Sequence, residues 1–91
     1  MRLILYSKPG CHLCEGLQEK LEQIQNLSFE LEVRDITTRE DWFAAYEYEV
    51  PMLYLSNRQG AKDAEEKPLP RPSPRANVQQ LEQMLRKYLA N

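Results

Sequence analysis

The first third of the chain places a helical pattern between two strand-like segments, and this order most constrains the fold. Arg2–Tyr6 is a mostly apolar run that ends before a Pro9-Gly10 turn, and Phe29–Arg34 alternates strictly between apolar and charged residues. Between them, leucine and isoleucine recur at spacings of four and three, at Leu13, Leu17, Leu21 and Ile24. Because parallel strands need a crossover of about a dozen residues, we predict a right-handed βαβ unit.

A second, shorter helix is predicted over 39–46. Thr37 or Thr38 is placed to cap its start, and Trp42, Phe43 and Tyr46 share one face at helical spacings. Three large aromatic side chains on one face are typical of core residues rather than of a binding platform, so we expect all three to be buried.

The second half of the chain contains one clear strand, one proline-rich segment and one helix. Met52–Leu55 is apolar and is followed by turn-forming residues at 56–60. Residues 61–75 are acidic and then proline-rich, which allows an extended loop or a short edge strand at most. Asn77 and Gln80 form the pattern of a capping box, and an apolar stripe follows at Val78, Leu81, Leu85, Tyr88 and Leu89.

These elements predict one α/β domain over residues 1–91, in the order βαβαββα. We expect a three-layer sandwich around a four-stranded mixed sheet, with Arg2–Tyr6 in its centre. Phe29–Arg34 is predicted to be an edge strand with one wet face, and the fourth strand is expected to be weak because it falls in the proline-rich segment.

The chain has two cysteines, Cys11 and Cys14, where the first strand meets the first helix. A spacing of three residues brings both sulfur atoms within one helical turn, where they can bond to each other or to a shared partner. A disulfide across so short a loop removes little entropy from the unfolded chain, so a chemical role is the better explanation. Zinc requires four ligands, and the one histidine, His12, does not complete a set within one chain.

Composition excludes several classes of function. The formal charge is −2, which provides no basic field for nucleic acid. The short apolar run at the start lacks the hydrophobic stretch of a signal peptide or of a membrane span. We therefore expect a cytoplasmic protein, and in that reducing compartment a close cysteine pair favours redox or metal chemistry over a structural bridge.

In a redox interpretation the two cysteines have different roles. Cys11 lies at the start of the helix, where free amides and the positive helix end stabilise a thiolate, and Lys8 adds positive charge. We predict that Cys11 is the nucleophile, with a lowered pKa, and that the more buried Cys14 is the resolving thiol. His12 either stabilises the thiolate as an imidazolium or is a solvated residue of the first turn, and Lys8 has a similar alternative as a solvated turn residue.

The chain resembles the thioredoxin superfamily over its whole length. The residues that carry this resemblance are the Cys11-His12-Leu13-Cys14 motif between a strand and a helix, the tryptophan of the second helix, and Val50-Pro51 before the third strand. Tyr6-Ser7-Lys8 before the motif is similar to glutaredoxins in particular, whereas thioredoxins carry a tryptophan at the place of Gly10.

The resemblance implies a thioredoxin-like fold and a substrate site. Val50-Pro51 would be the cis-proline of the family, with the Val50 backbone pairing to a substrate, although Pro51 can also begin a strand in trans. Lys8 would hold a carboxylate of glutathione. The Gly-Gly pair of glutaredoxins is replaced by 71–77, Arg-Pro-Ser-Pro-Arg-Ala-Asn, so the chain is closest to a divergent group of small glutaredoxin-like proteins.

The resemblance predicts a dithiol-disulfide oxidoreductase that acts in cell redox homeostasis through Cys11 and Cys14. It needs no bound cofactor, uses glutathione as a possible co-substrate, and acts as a monomer on a disulfide-containing protein or a glutathione mixed disulfide. The alternative is a non-catalytic thioredoxin-fold adapter or a metal-carrying thiol module. Copper chaperones also place Cys-x-x-Cys at this junction, but their elements run βαββαβ and they favour a methionine shortly before the first cysteine, which this chain lacks.

Overall fold

The computed structural model describes residues 2–56 and 66–89 and has the predicted element order. The first half contains β1 (Arg2–Ser7), α1 (His12–Glu22), β2 (Glu30–Asp35), one 3-10 turn (Ile36–Thr38) and α2 (Glu40–Tyr46). The second half contains β3 (Met52–Ser56), β4 (Glu66–Pro68) and α3 (Val78–Leu89). Within the described ranges, no helix is long and apolar enough to cross a membrane.

The four strands form one mixed sheet in the order β2-β1-β3-β4. β1 runs parallel to β2, with Leu5 opposite Val33, and antiparallel to β3, with Leu5 also opposite Leu53. β1 therefore lies inside the sheet, and its residues from Leu3 to Tyr6 are buried on both faces, as their apolar run predicts. The parallel β1-α1-β2 unit is confirmed.

The fourth strand is a three-residue edge strand within the proline-rich part of the chain. β4 pairs antiparallel with β3, and the pairing extends to Leu69, whose amide donates to the Leu53 carbonyl at 2.9 Å. Pro68 is the last residue of β4 and lies opposite Tyr54, and a proline is tolerated on such an edge strand. The predicted turn at 57–60 and the acidic residues 61–65 lie outside the described residues.

The larger core lies between the sheet and the helices α1 and α3. It consists of leucine and isoleucine side chains at most 8% exposed, from β1, α1, β3, α3 and their flanking residues: Leu3, Leu5, Leu21, Ile24, Leu53, Leu55, Leu69, Leu81 and Leu85. The capping box at the start of α3 is confirmed, because the Gln80 amide donates to Asn77 Oδ1 at 2.8 Å and the Asn77 amide to Gln80 Oε1 at 3.0 Å. Tyr88 is 39% exposed at the end of the predicted stripe, and the Leu89 side chain lies outside the described part.

The opposite face of the sheet carries an aromatic cluster beneath α2. The rings of Tyr6 and Tyr46 stack at 4.3 Å between centroids, and Trp42 and Tyr54 meet Tyr6 edge-on at 5.8 and 5.4 Å. Trp42 and Tyr46 are partly buried against this cluster, as expected in direction, whereas the prediction is wrong for Phe43, which is 37% exposed. Successive helical residues point about 100° apart, so Phe43 turns away from the sheet when Trp42 packs against it.

The face of β2 that was predicted to be exposed to solvent is only partly exposed. The Arg34 side chain is 18% exposed because its guanidinium lies between Glu32 and Glu66 and against the Tyr6 and Trp42 rings, each 5.4 Å away. Val33, on the apolar side of the strand, is instead 40% exposed. An edge strand has a neighbour on one side only, so its apolar face is incompletely covered.

The predicted caps of α2 are also wrong. Asp35 Oδ1 accepts from the Thr37 amide at 2.9 Å and so caps the 3-10 turn that precedes the helix. The residue before α2 is Arg39, which makes no side-chain cap. Thr37 and Thr38 lie inside the 3-10 turn and bond back to Asp35, so their hydroxyls are used before the helix begins.

Candidate functional site

The two cysteines are positioned by a tight turn that leads from β1 into α1. Gly10 has φ +78°, a left-handed conformation that glycine adopts at little cost, and the Cys11 amide then donates to the Lys8 carbonyl at 3.3 Å. Cys11 is the N-cap of α1: its backbone is extended, and its Sγ accepts from the Cys14 amide at 3.1 Å. The sulfur therefore stands where a capping oxygen usually stands.

Cys11 and Cys14 form a disulfide, with their Cα atoms 5.2 Å apart. The two positions differ in exposure. Cys14 is 2% exposed on the inner side of α1, whereas Cys11 is half-buried at the tip of the helix. The environments thus differ in the direction that the sequence predicts, while the roles of nucleophile and resolving thiol stay predictions.

The segment before β3 lies beside the start of α1. The Val50–Pro51 peptide bond is cis. Pro51 is buried, and both residues border the same groove as His12 and Leu13. Within the described ranges, the Val50 amide and carbonyl make no hydrogen bond to the protein.

The two residues between the cysteines are both exposed. The His12 side chain is 96% exposed, and its Nδ1 lies 3.8 Å from Glu15 Oε1. Leu13 is 57% exposed, so the prediction that it begins the buried stripe of α1 is wrong. Leu13 is the second residue of α1 and is not among the residues of the core between α1 and the sheet.

Lys8 does not border that groove. Its Nζ donates to the Glu47 carbonyl at 3.2 Å, and Glu47 is the C-cap of α2. An ammonium group at the negative end of a helix is favourable. The structure therefore places Lys8 toward α2, while His12, Val50 and Pro51 come together at the groove.

The groove itself has a volume of about 500 Å³ and runs between α1 and the segment that precedes α3. Its walls are mostly apolar. The lining residues come from α1, from the cis-proline loop and from 71–81, and they are His12, Leu13, Gly16, Leu17, Lys20, Val50, Pro51, Arg71, Pro72, Ser73, Pro74, Ala76 and Leu81. This groove passes directly beside the exposed end of the cysteine motif.

Two cationic side chains that the sequence did not single out, Lys20 and Arg71, line the groove and bond to backbone carbonyls around it. Lys20 Nζ donates to the Pro74 carbonyl at 3.0 Å and also to the Ala76 carbonyl. Arg71 donates to the Glu49 carbonyl and contacts Met52 Sδ at 3.4 Å. No local pattern could have revealed these bonds, because they join residues 19 to 56 positions apart.

Metal ligands are sparse in this part of the molecule. Among residues 2–56 and 66–89, no group of three or more histidine, cysteine or acidic side chains is placed to hold a metal ion.

Comparison with known proteins agrees with this geometry. The family model for the Glutaredoxin-like domain (DUF836) matches residues 2–86. A solved structure, the structural genomics target protein XcR50 from X. campestris, is similar with a TM-score of 0.57 and 25% identity, over 93% of this chain and 96% of that one. A search of curated proteins found no match. Since the family model spans nearly the whole sequence, the chain belongs to the glutaredoxin-like (DUF836) family.

Proposed function

We propose that this protein is a dithiol-disulfide oxidoreductase in which Cys11 attacks and Cys14 resolves. The observation that carries the proposal is the asymmetry of the pair: Cys11 Sγ sits at the N-cap of α1 and accepts the Cys14 amide, while the Cys14 side chain is buried. A thiolate at the first position is stabilised by that amide and by the positive helix end, and burial opposes ionisation at the second.

The reaction begins from the reduced pair. The Cys11 thiolate attacks one sulfur of a partner disulfide, a mixed disulfide forms at Cys11, and the partner's other sulfur leaves as a thiolate. Cys14 then loses its proton and attacks Cys11 Sγ, which forms the Cys11–Cys14 disulfide and releases the partner as its second thiolate. Two electrons pass from the protein to the partner, and a thiol reductant returns them in the reverse sequence.

The partner is held beside the cis-proline loop. In this proposal the Val50 amide and carbonyl, which bond to no described residue, pair with an extended segment of the partner, as a strand pairs at a sheet edge. We propose a disulfide-containing protein as this partner, acted on by a monomer in the cytoplasm, with no bound cofactor. A glutathione mixed disulfide is the second substrate in this proposal.

In this proposal glutathione is a co-substrate and not the main ligand of the site. The glycine pair that glutaredoxins use is absent, and in its place Pro72 and Pro74 form a wall with fewer amides to donate. Lys8, the predicted carboxylate ligand, bonds to the Glu47 carbonyl and has to leave it before it can bind glutathione.

A trapping experiment tests the proposal against an adapter that binds without turnover. In a Cys14→Ser variant the mixed disulfide cannot be resolved, so partners in a cell extract should accumulate on Cys11 and be released by dithiothreitol. The matched control is Cys11→Ser, which keeps one cysteine but leaves it buried and should trap far less. Equal, negligible trapping by both variants would favour the adapter.

A redox titration provides the second test. The Cys11–Cys14 pair should exchange reversibly with glutathione and dithiothreitol buffers and give one two-electron midpoint, for which a tenfold change in the equilibrium constant corresponds to about 30 mV. Failure of the pair to re-form after full reduction would contradict the proposal.

A further inference from the structure

The groove beside the cysteine motif combines an apolar floor with a basic rim. Leu13, Leu17 and Leu81 provide the aliphatic surface, and Leu13 is 57% exposed. Within the described residues, Lys20, Arg71 and His12 line the groove and no acidic side chain does, although the whole chain has 14 acidic residues against 12 lysines and arginines. A groove of positive character on an acidic protein is complementary to a carboxylate.

The basic side chains differ in how far neighbouring acids offset them. His12 lies 3.8 Å from Glu15, and an Arg71 nitrogen lies 3.7 Å from a Glu49 oxygen. Lys20, in contrast, bonds to two backbone carbonyls, at Pro74 and Ala76, and has no acidic partner in the described ranges. The two carbonyls accept from the ammonium group without cancelling its charge, so Lys20 can still attract an anion along this wall.

We propose that the groove binds an extended segment of the partner protein that places an aliphatic side chain on Leu13 and Leu17 and a carboxylate near Lys20 and Arg71. The inference rests on the proposed function in one respect, because the segment is the one that flanks the partner's disulfide cysteine. Glutathione fits less well because it has no aliphatic side chain to cover the leucines.

The helix geometry sets the distance between the cysteine and the acid. Lys20 follows Cys11 by nine residues, a rise of about 13 Å along α1. An extended chain advances about 3.3 Å per residue, so the carboxylate should lie about four residues from the partner's cysteine. The aliphatic side chain lies between the two.

Binding is tested first without any redox step. Blocked, fluorescently labelled peptides carry serine in place of cysteine, a leucine two residues away, and aspartate or asparagine four residues away, on either side. Fluorescence anisotropy with the oxidised protein should show that the aspartate peptide of one polarity binds about two- to fivefold more tightly than its asparagine partner, as for one partly screened ion pair. Equal binding, or no binding of any peptide, would overturn the inference.

Variants then assign this selectivity to the rim. Lys20→Gln removes the charge but keeps a donor for the carbonyls, and it should abolish the preference for aspartate, while Lys20→Arg should retain it. The matched control is Arg86→Gln, which removes the same charge from an exposed ion pair in the last turn of α3, outside the groove. If Lys20→Gln weakens the aspartate and asparagine peptides equally, Lys20 only supports the wall and the proposal is wrong.

Turnover and competition separate this inference from the proposed function. The same peptides with cysteine, as mixed disulfides with 2-mercaptoethanol, should show the same selectivity in kcat/KM. Selective binding without turnover would contradict the proposed function and leave the groove assignment standing. Turnover without selectivity would contradict the groove assignment and leave the proposed function standing. Displacement of the aspartate peptide by glutathione at an equal or lower concentration would show that glutathione is the occupant.

Discussion

The Cys14 amide donates to Cys11 Sγ at 3.1 Å, so the two cysteines are connected through the helix cap as well as through the disulfide. The same amide remains available to a thiolate after reduction, because α1 and its cap do not depend on the sulfur–sulfur bond for their backbone hydrogen bonds. The Glu15 amide, for example, donates to the Cys11 carbonyl at 3.1 Å.

This cap predicts that the pKa of Cys11 in the reduced protein lies below that of an ordinary thiol. The Cys14 amide and the helix end stabilise the thiolate. The rate of alkylation by iodoacetamide should therefore reach half its maximum at a pH well below about 8.5, the usual pKa of a free thiol. The measurement uses Cys14→Ser so that Cys11 is the only thiol. Cys11→Ser is the control, and its buried Cys14 should react slowly. A midpoint at the ordinary value would contradict the prediction.

His12 is predicted to have little influence on the redox potential. Its side chain is 96% exposed and lies near the carboxylate of Glu15, so solvent and that carboxylate screen any charge it carries. His12→Ala should therefore shift the midpoint potential by less than about 10 mV, where 30 mV corresponds to about 1.4 kcal/mol. Glu15→Gln removes the carboxylate next to His12 and so tests whether this carboxylate screens the charge of the imidazole. A shift of 30 mV or more for His12→Ala would assign the histidine a direct effect on the thiolate.

Arg34 is predicted to contribute more stability than an exposed arginine. Its guanidinium donates to the Tyr6 hydroxyl at 2.7 Å and forms ion pairs with Glu32 and Glu66. Arg34→Ala should lower the free energy of unfolding by about 1–3 kcal/mol, since it removes the charge-assisted hydrogen bonds of a part-buried guanidinium. Urea denaturation measures this.

Arg39 offers a matched control for that experiment. It also stacks on Trp42 and pairs with a carboxylate, Asp41, but its side chain is 58% exposed. Arg39→Ala should cost less than about 1 kcal/mol. Equal losses for the two variants would show that burial of the Arg34 network adds nothing to stability.

Tyr54 is predicted to make the protein sensitive to strong alkali. Its hydroxyl is hydrogen-bonded to that of Tyr46 at 3.1 Å, and this bond, followed by burial, raises the pKa of Tyr54 to about 12. The folded state then binds the proton more tightly than the unfolded chain, in which the tyrosine pKa is about 10. The resulting stability is present below pH 10 and is lost as the pH rises toward 12.

Ultraviolet titration of the phenolates, combined with denaturation at pH 9 and pH 11.5, tests this expectation. Tyr46→Phe removes the shared hydrogen bond and should lower the pKa of Tyr54 toward its ordinary value. Tyr48→Phe is the control, because Tyr48 is 90% exposed and lies outside the aromatic cluster. An unchanged titration of Tyr54 in Tyr46→Phe would show that the hydrogen bond is not the cause.

Local patterns predicted most of the helices and strands and the position of the cysteine pair at the start of α1. The apolar run of β1, the helical spacing of α1 and the reciprocal pair Asn77 and Gln80 act within a few residues, so each is visible in the sequence. The end of β2 and the start of α2 were less predictable, because Asp35 competed with Thr37 and Thr38 for the same role as a cap.

The sequence alone determined that Cys11 and Cys14 lie within bonding distance, because their spacing at the start of a helix fixes how close two such sulfur atoms can lie. Tertiary structure alone decided what surrounds them. Leu13 is exposed at the border of the groove. Arg34 is covered because Glu66 and Trp42 come from other parts of the chain, and Lys20 and Arg71 bond to carbonyls distant in sequence. Contacts between residues far apart in sequence depend on how whole elements pack, and no local pattern records them.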